Sequence, residues 1–273
     1  MSDKISLAGD LGSGKSTVAA ILIEKLGAEY YSTGAIVRSI AAKRNMSVVE
    51  LNVYMETHPE IDHEIDDGLK ALSDLDKPLV IDSRMAWHFT RGTFKVYLST
   101  DAEVSALRIM GANRQGEHKT SLEDTVKDTK ARRESEKKRY FEQYGVHIKD
   151  LSNYSLIVDT TYATPEEVAE CILSSFEAWQ KDKSFTAAYV SPERLNYPDD
   201  EPNAEKLSEI SDLLDSGKEI PEVKIFEIDG EFYLKDGYES ALAYSLAMNT
   251  YIPAKLVRGS ADGKSYVKMK NSL

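Results

Sequence analysis

Near its N-terminus the chain reads Gly9-Asp10-Leu11-Gly12-Ser13-Gly14-Lys15-Ser16, which matches the pattern G-x-x-x-x-G-K-[ST]. An apolar run, Ile5 to Ala8, comes before it, and apolar residues at helical spacing from Val18 to Leu26 come after it. This arrangement predicts a strand, a phosphate-binding loop and a helix, because glycines let backbone N–H groups converge on a phosphate at a helix N-terminus. The alternative is a glycine-rich turn with a chance lysine. The agreement of pattern, position and flanks favours the phosphate loop.

This loop is a predicted site for ATP and Mg²⁺. Lys15 is expected to reach the β- and γ-phosphates, and the Ser16 hydroxyl is expected to ligate Mg²⁺. The predicted ATP-binding residues of the segment are Gly9, Gly12, Ser13, Gly14, Lys15, Ser16 and Thr17.

Composition narrows the class of protein and its partners. A chain of 273 residues is long for a single core, so one large or two unequal domains are expected. The net charge of −12 argues against binding to nucleic acid or to an anionic membrane. Met1 to Lys4 leads directly into the first strand, no apolar run approaches the length of a membrane span, and Cys171 is the single cysteine. We therefore expect a cytoplasmic protein. The phosphate loop predicts small-molecule nucleotides as partners, and the chain is expected to be a monomer or homodimer.

A second anion site is predicted after the second strand, Ala28 to Ser32. Thr33 caps and opens a helix, Gly34 follows it, and Arg38 lies a little over one turn further on. Either the helix end and the Arg38 guanidinium together hold a second phosphate, or Arg38 is a solvated helix residue.

The strand Pro78 to Ile81 carries the sequence Asp82-Ser83-Arg84 at its carboxyl end. Its apolar run is typical of a parallel sheet, and the carboxyl edge of such a sheet faces the ligand crevice in α/β proteins. Asp82 is therefore a candidate ligand of Mg²⁺ or of its water. Arg84 is a candidate contact of the transferred or accepting phosphoryl group.

Residues 108–139 form the most basic part of the chain. They contain 10 of its 34 lysines and arginines, and such a concentration in an acidic protein predicts a local anionic partner. Residues 111–120 lack hydrophobic periodicity and are predicted to form a mobile loop. Ser121 to Tyr144 is predicted to be helical.

One face of that helix carries Arg132, Glu136 and Arg139, which lie four and three residues apart. Either this charged face is simply solvated, or it belongs to a lid that closes over the leaving phosphate.

Strands alternate with helices through the first two thirds of the chain. This pattern predicts an α/β fold of the P-loop NTPase type at residues 1–181, with a parallel sheet covered by helices on both faces. The pattern then changes to short strands and two helices, which predicts a second, smaller α+β domain at residues 185–260 and a tail at 261–273. Within this part, Tyr197 to Pro202 is predicted to be a polar loop and Asp229-Gly230 a hairpin turn.

Several motifs, in this order along the chain, resemble those of the cytidylate kinases, which belong to the nucleoside monophosphate kinase group. The resemblance is greatest to the compact archaeal-type branch and covers residues 4 to about 178. Besides the phosphate loop, the motifs are T-G-x-x-x-R at Thr33 to Arg38, D-x-R at Asp82 to Arg84, and R-x-E-S-E-x-x-R-Y at Arg132 to Tyr140, followed by Tyr144-Gly145.

The resemblance implies a role for each matching position. It implies phosphoryl transfer from ATP to CMP or dCMP, with the catalytic residues Lys15, Asp82, Arg84 and Arg132. It implies that ATP is bound by the loop together with the lid arginines Arg108 and Arg114. It implies that the acceptor is held by Thr33, Gly34, Arg38, Arg132, Glu136 and Arg139, the last two at the cytosine. Two positions depart from the family pattern: Glu136 stands where bacterial members usually carry aspartate, and Ser83 stands where glycine is frequent.

The C-terminal part resembles the ParB/sulfiredoxin-like fold. The matching segments are P-x-x-L at Pro192 to Leu195, I-P-x-V at Ile220 to Val223, Y-L-K-D-G at Tyr233 to Gly237 and I-P-A-K-L-V at Ile252 to Val257. Members of that fold often bind a nucleotide at a D-G-H-x-R turn, whose His and Arg positions hold Tyr238 and Ser240 here. Because a cation is lost and Glu239 is gained, we expect a structural or regulatory role rather than DNA binding, nuclease action or a second kinase activity.

Three functions remain open from the sequence. The first is a kinase acting on CMP or dCMP, the second is a non-catalytic nucleotide-sensing protein, and the third is a kinase for another small acceptor. Catalysis is favoured because a decayed kinase would be expected to break the set Lys15, Ser16, Arg38, Asp82 and Arg132. The shared face of Arg132, Glu136 and Arg139 favours an acceptor that carries a base.

Overall fold

The computed structural model describes residues 3–111, 121–261, 263 and 265–268. Over these residues the chain forms eleven strands of one mixed sheet, ten α-helices and three short 3-10 helices. The fold class is α/β, as the sequence predicts. Within the same residues, no helix is both long enough and apolar enough to cross a membrane.

The first part of the chain supplies five strands and eight α-helices within the described ranges. The strands are β1 (Lys4–Gly9), β2 (Glu29–Ser32), β3 (Leu79–Asp82), β4 (Phe94–Ser99) and β5 (Leu156–Asp159). The helices are α1 (Lys15–Leu26), α2 (Thr33–Lys43), α3 (Val48–Met55), α4 (Glu60–Ala71), α5 (Ala86–Phe89), α6 (Ala102–Gly111), α7 (Leu122–Tyr144) and α8 (Pro165–Lys181).

These five strands are parallel and lie in the order β2-β3-β1-β4-β5. β1 is therefore central, with Ser6 opposite Ile81 of β3 and Lys95 of β4. Parallel strands all end at the same edge of the sheet, so the loop that follows β1 emerges beside the residues that follow β3 and β4.

Helices cover both faces of this parallel sheet, as predicted. On one face, residues of α1 and α8 such as Val18 and Phe176 share a hydrophobic cluster with Val96 of β4. On the other face, Tyr97 of the same strand joins a cluster that contains Leu69 of α4. Successive residues of a strand point to opposite faces, so β4 is buried on both.

The C-terminal part continues the same sheet. β6 (Ala187–Val190) pairs in parallel with β5, and β10 (Ile252–Leu256) pairs antiparallel with β6. The remaining strands follow in the spatial order β8 (Val223–Ile228), β9 (Glu231–Asp236), β7 (Leu195–Pro198) and β11 (Tyr266–Lys268). Two helices, α9 (Ala204–Asp215) and α10 (Tyr238–Leu246), complete this part. The predicted boundary near residues 181–185 falls between α8 and β6, and β6 pairs with β5 in one continuous sheet. The division of the chain into two domains stays a prediction.

Two predictions for the C-terminal part have opposite outcomes. The hairpin is confirmed, because Asp229 and Gly230 both have positive φ, 53° and 90°, and connect β8 to β9. The polar loop predicted from Tyr197 is wrong at its start, because Tyr197 lies in β7 and is fully buried. The partners of β7 are β9 and β11, which are distant in sequence, so local composition gave no sign of this pairing.

Arg194 ties the C-terminal part to the first part of the chain. Its side chain is 3% exposed, and its Nη2 donates to the Gly230 carbonyl oxygen at 2.8 Å. Its Nη1 lies 3.5 Å from Oδ2 of Asp101. The other Asp101 oxygen accepts hydrogen bonds from two N–H groups in the first turn of α6. The turn between β8 and β9 is therefore connected through one guanidinium to the beginning of α6.

We predict that Arg194→Met lowers the free energy of unfolding by about 2 kcal/mol, because it removes one partner of a largely buried ion pair whose acid keeps some access to water. Urea unfolding followed by circular dichroism measures this. Glu193→Gln, at the neighbouring and less buried position, is the control and is expected to change stability by less than about 0.5 kcal/mol. An equal, small effect of both substitutions would contradict the bracing role of Arg194.

Candidate active site

A crevice opens at the carboxyl ends of β1 and β3, between the phosphate loop, α2, α4 and α7. Twelve of the residues predicted for the site line it together: Gly12, Gly14, Lys15, Ser16, Thr33, Gly34, Arg38, Asp82, Arg84, Arg132, Glu136 and Arg139. They come from four separate segments of the sequence. The topology of the sheet therefore brings both predicted anion sites to one cavity.

The phosphate loop has the backbone shape that its glycines predict. Gly12 and Gly14 have φ values of 75° and 79°, which residues with a side chain rarely adopt. A Cβ atom on Gly12 would lie 2.6 Å from the carbonyl oxygen of Ser105 in α6, whereas a Cβ atom on Gly14 would meet no atom. The loop therefore packs closely on α6 at Gly12 and is open at Gly14, where the crevice begins.

Lys15 lies inside the loop and contacts neutral groups. Its Nζ donates to the carbonyl oxygens of Asp10 at 2.7 Å and Gly9 at 3.2 Å, and to the Ser13 hydroxyl at 3.2 Å. Burial, followed by the nearby Arg84 guanidinium, lowers the pKa of Lys15 to about 7, although Asp82 and Asp10 oppose the shift. The amine is therefore ready to gain a proton when an anion enters the loop.

The two predicted Mg²⁺ ligands lie around one tyrosine hydroxyl. Tyr30 donates to Oδ2 of Asp82 at 3.1 Å, and its hydroxyl also interacts with the side chains of Ser16 and Ser32. No group of three or more His, Cys, Asp or Glu side chains suited to a metal occurs within the described ranges. Mg²⁺ needs few protein ligands when phosphates supply the others, so a hydroxyl and one carboxylate are a suitable set of hard oxygen donors.

A buried carboxylate connects the loop to α7. Glu136 lies between two guanidinium groups, with Oε2 3.1 Å from Nε of Arg84 and Oε1 3.0 Å from Nε of Arg132. Arg84 Nη1 also donates to the carbonyl oxygen of Gly9. Burial alone raises the pKa of Glu136, but the two arginines outweigh it and lower the pKa to about 2. This side chain is therefore permanently ionised, and it orients both arginines.

The second predicted anion site lies at the start of α2. Ser32 caps this helix by accepting from the N–H of Ala35 at 3.3 Å, so the prediction that Thr33 is the cap is wrong by one residue. Thr33 is the first helical residue, and its hydroxyl donates to the carbonyl oxygen of Asp82 at 3.4 Å. The guanidinium of Arg38 lies above Gly34, whose Cβ, if present, would be 3.4 Å from Nη1.

Arg38 and Arg139 differ in how their charges are satisfied. Arg139 is buried and bonds the carbonyl oxygen of Asn52 at 3.0 Å, its side-chain oxygen at 3.3 Å and Oδ2 of Asp62 at 2.9 Å. Arg38 lines the same crevice and forms no hydrogen bond or ion pair within the part of the chain that the structure describes. Arg38 is therefore available to an entering anion, whereas Arg139 holds the wall of the crevice together.

Four other predicted residues lie outside the crevice lining. Gly9 and Ser13 bond the Lys15 amine from within the loop, and Thr17 is exposed in the first turn of α1. Arg108 is half-buried, and its Nη2 donates to the carbonyl oxygens of Thr160 and Thr161, at 2.7 and 3.1 Å. Arg114 and residues 112–120 of the predicted mobile loop lie outside the described residues.

Sequence reasoning missed Asp10. This residue of the loop accepts from the Tyr97 hydroxyl at 3.2 Å and lies 3.4 Å from Arg133 of α7 and 3.7 Å from Lys149. Its position has no fixed residue type in the phosphate-loop pattern, so the motif gives no signal for it. The loop is thus bound to α7 on both sides, through Asp10 and through Arg84.

The acidic residues Asp62 and Asp66 of α4 also line the crevice and were not predicted. They lie beside the apolar stripe of Ile61, Ile65 and Leu69, each one residue after an isoleucine. The pattern gave no signal of their burial, because carboxylates beside an apolar helical stripe are ordinarily solvated.

A phosphate loop at the end of a central parallel strand, facing a second cationic site across one crevice, defines the class of P-loop kinases. The profile of the cytidylate kinase-like family matches residues 4–162, and the chain belongs to that family. It is 34% identical to the cytidylate kinase of Thermoplasma volcanium over 187 residues, which are 67% of this chain and 96% of that protein. It is 37% identical to the cytidylate kinase of Archaeoglobus fulgidus over 175 residues, or 64% and 94% of the two chains.

A solved structure, sulfiredoxin from Arabidopsis thaliana, is also similar to part of the chain. It is 18% identical, covers 27% of this chain and 86% of its own, and has a TM-score of 0.25.

We predict that Gly12→Ala weakens ATP binding at least about tenfold, because the added Cβ must displace the loop from Ser105. Isothermal titration calorimetry measures the affinity. Gly27→Ala is the matched control, since Gly27 also has positive φ, 59°, but faces open space. Gly27→Ala is expected to lower the free energy of unfolding by only about 1 kcal/mol and to leave the affinity for ATP unchanged. Equal affinities of the two variants would contradict the close contact with α6.

We also predict that ATP binding at about pH 8 takes up about one proton, because the buried Lys15 amine is mostly neutral before a phosphate raises its pKa again. Calorimetry in two buffers of different ionisation enthalpy measures proton uptake. Lys15→Met should abolish it, and Lys25→Met, at an exposed position of the same helix, should not. Undiminished uptake by the Lys15 variant would assign the proton to another group.

Proposed function

We propose that this protein transfers the γ-phosphoryl group of ATP to a nucleoside monophosphate, CMP or dCMP, giving CDP or dCDP. The observation that carries the proposal is the meeting of two anion sites in one crevice, with Lys15 in the phosphate loop and Arg38 at the start of α2. Membership of the cytidylate kinase-like family supports the same reaction.

The arrangement favours charge stabilisation over covalent chemistry. Phosphoryl transfer between two nucleotides needs in-line positioning and cancellation of charge, and it needs no protein nucleophile. In this proposal Lys15 and the loop N–H groups hold the donor, while Thr33, Gly34 and Arg38 hold the acceptor phosphate. Arg84 and Arg132, fixed by Glu136, supply positive charge between the two.

Ser16 and Asp82 would hold Mg²⁺ beside the loop, which agrees with their shared contact to Tyr30. When bound, Mg²⁺ would neutralise charge on the β- and γ-phosphates. Arg108, in the last turn of α6, and Arg114, later in the sequence, are proposed to assist ATP binding.

The alternatives are less well supported. A non-catalytic sensor would not need Arg84 and Arg132 to be held in place by a carboxylate that is 5% exposed. A kinase for another small acceptor would not need the apolar side chains of Val37, Met55, Ile65 and Leu69 in the crevice lining. A base-bearing acceptor uses both the cationic and the apolar side chains of the lining.

For the C-terminal part, beginning at about residue 185, we propose a ParB/sulfiredoxin-like domain with a structural role. Members of that fold bind nucleotides at the position that corresponds to the N-terminus of α10. In this chain the carboxylates at that position already pair with other residues of the chain. Glu239 accepts from Lys206 at 2.7 Å and from the N–H of Asn203 at 3.3 Å, and Asp236 pairs with Lys224 at 3.2 Å. The links through Arg194 and the shared sheet support a bracing role. We further propose a cytoplasmic monomer or homodimer that does not bind nucleic acid.

We predict that Lys15→Ala lowers turnover by about 10² to 10³-fold, the scale for losing one preorganised stabilising donor.

Arg38→Ala should instead raise the KM for the acceptor by about tenfold or more and leave the KM for ATP unchanged. Lys43→Ala, at the exposed end of α2, is the control for Arg38→Ala. The measurement is ADP release with CMP, dCMP, UMP, AMP and shikimate as acceptors.

Two outcomes would contradict the proposal. Release of ADP with shikimate but with none of the nucleotides would show that the acceptor is not a nucleoside monophosphate. A change confined to the KM for ATP in Arg38→Ala would remove Arg38 from the acceptor site.

A further inference from the structure

Four carboxylates line the crevice, and three of them have a clear partner or position. Both oxygens of Glu136 pair with arginines, Asp62 pairs with Arg139 and accepts from Gln143, and Asp82 lies beside the phosphate loop. The fourth is Asp66, on α4.

Asp66 is almost completely buried, yet only one of its oxygens is used. Its residue is 3% exposed, and Oδ2 accepts a hydrogen bond from the Tyr144 hydroxyl of α7. Oδ1 forms no hydrogen bond within the described residues. A carboxylate oxygen that lines a crevice and has no partner among the described residues is available to accept a hydrogen bond from a ligand.

The surroundings of Asp66 are suited to a flat heterocycle. Ile65 and Leu69 lie on the same helix, and Met55 lies on the wall beside them. The cationic groups that suit a phosphate, Arg38 and Arg132, line the same crevice. A nucleoside monophosphate whose phosphate lies at Arg38 would place its base against this apolar wall and the carboxylate within it.

We infer that Asp66 selects the base of the acceptor by accepting a hydrogen bond from an exocyclic amino group, such as the 4-amino group of cytosine. This inference rests on the proposed function. A carboxylate can accept but cannot donate, so it favours a 4-aminopyrimidine over a 4-oxopyrimidine, which presents an acceptor at the same place. The Tyr144 hydroxyl holds the other oxygen and so fixes the direction of Oδ1.

The charge state of Asp66 agrees with this role. Burial raises its pKa to about 6, while the Tyr144 hydrogen bond lowers it, Asp62 raises it, and Lys70 and His63 lower it. At neutral pH the group is therefore mainly ionised and acts only as an acceptor.

The test is Asp66→Asn, which keeps the size of the side chain but can turn an N–H donor toward the base. We expect the ratio of kcat/KM for CMP to kcat/KM for UMP to fall at least about tenfold, since one well-placed polar contact to a base edge discriminates by this much or more. Asp67→Asn is the matched control. It makes the same change of charge one residue further on, where the carboxylate is exposed and pairs with Lys70, and it should leave the ratio unchanged.

A second measurement uses the unaltered protein, so it does not depend on the folding of a variant. The CMP analogue with hydrogen in place of the 4-amino group is smaller than CMP and enters without a clash. Its kcat/KM should be lower than that of CMP by about tenfold or more. An analogue as good as CMP, or a ratio that Asp66→Asn does not move, overturns the inference while the kinase activity stands. If the unaltered protein phosphorylates no nucleoside monophosphate, the proposed function is overturned and this inference with it.

Discussion

A carboxylate almost without access to water, that of Glu136, lies between the guanidinium groups of Arg84 and Arg132. Charges in such a place are stable only when each finds its partner, and loss of one partner of a buried pair costs about 3 to 5 kcal/mol. Because Arg84 also donates to the carbonyl oxygen of Gly9, this one network connects the end of β3, the phosphate loop and α7. The geometry of the whole crevice therefore depends on it.

The helix α7 also lines a second cavity, of about 590 Å³, which shares Arg84 and Glu136 with the crevice. There Arg133 contacts Asp10 of the phosphate loop, and Asp229 of the β8–β9 turn belongs to the lining. The same turn reaches the start of α6 through Arg194. The C-terminal part is therefore connected to the beginning of α6 through Arg194, and it shares a cavity with α7 through Asp229.

Local signals explain what the sequence could predict. The phosphate loop, the Asp229-Gly230 turn and the alternation of strands and helices are encoded within a few residues each, and all three are found. Glu136 shows the limit of such signals. Its spacing predicted a shared helix face with Arg132, but no local pattern predicted its ion pair with Arg84, which lies 52 residues earlier in the sequence. β7 and Asp66 were missed for the same reason, since their environment is made by distant strands and by α7.

Some basic side chains of the crevice are paired with carboxylates and others are not, and this difference explains how an acidic protein can hold two nucleotides. Arg84, Arg132 and Arg139 are already paired with carboxylates, so they are oriented in advance and keep their partners when a ligand enters. Lys15 contacts neutral oxygens, and Arg38 has no partner among the described residues. Phosphates entering at these two positions replace weak contacts and need not break an ion pair, so little of the binding energy is lost to rearrangement. The paired arginines fix the shape of the crevice, and Lys15 and Arg38 are available for the phosphates.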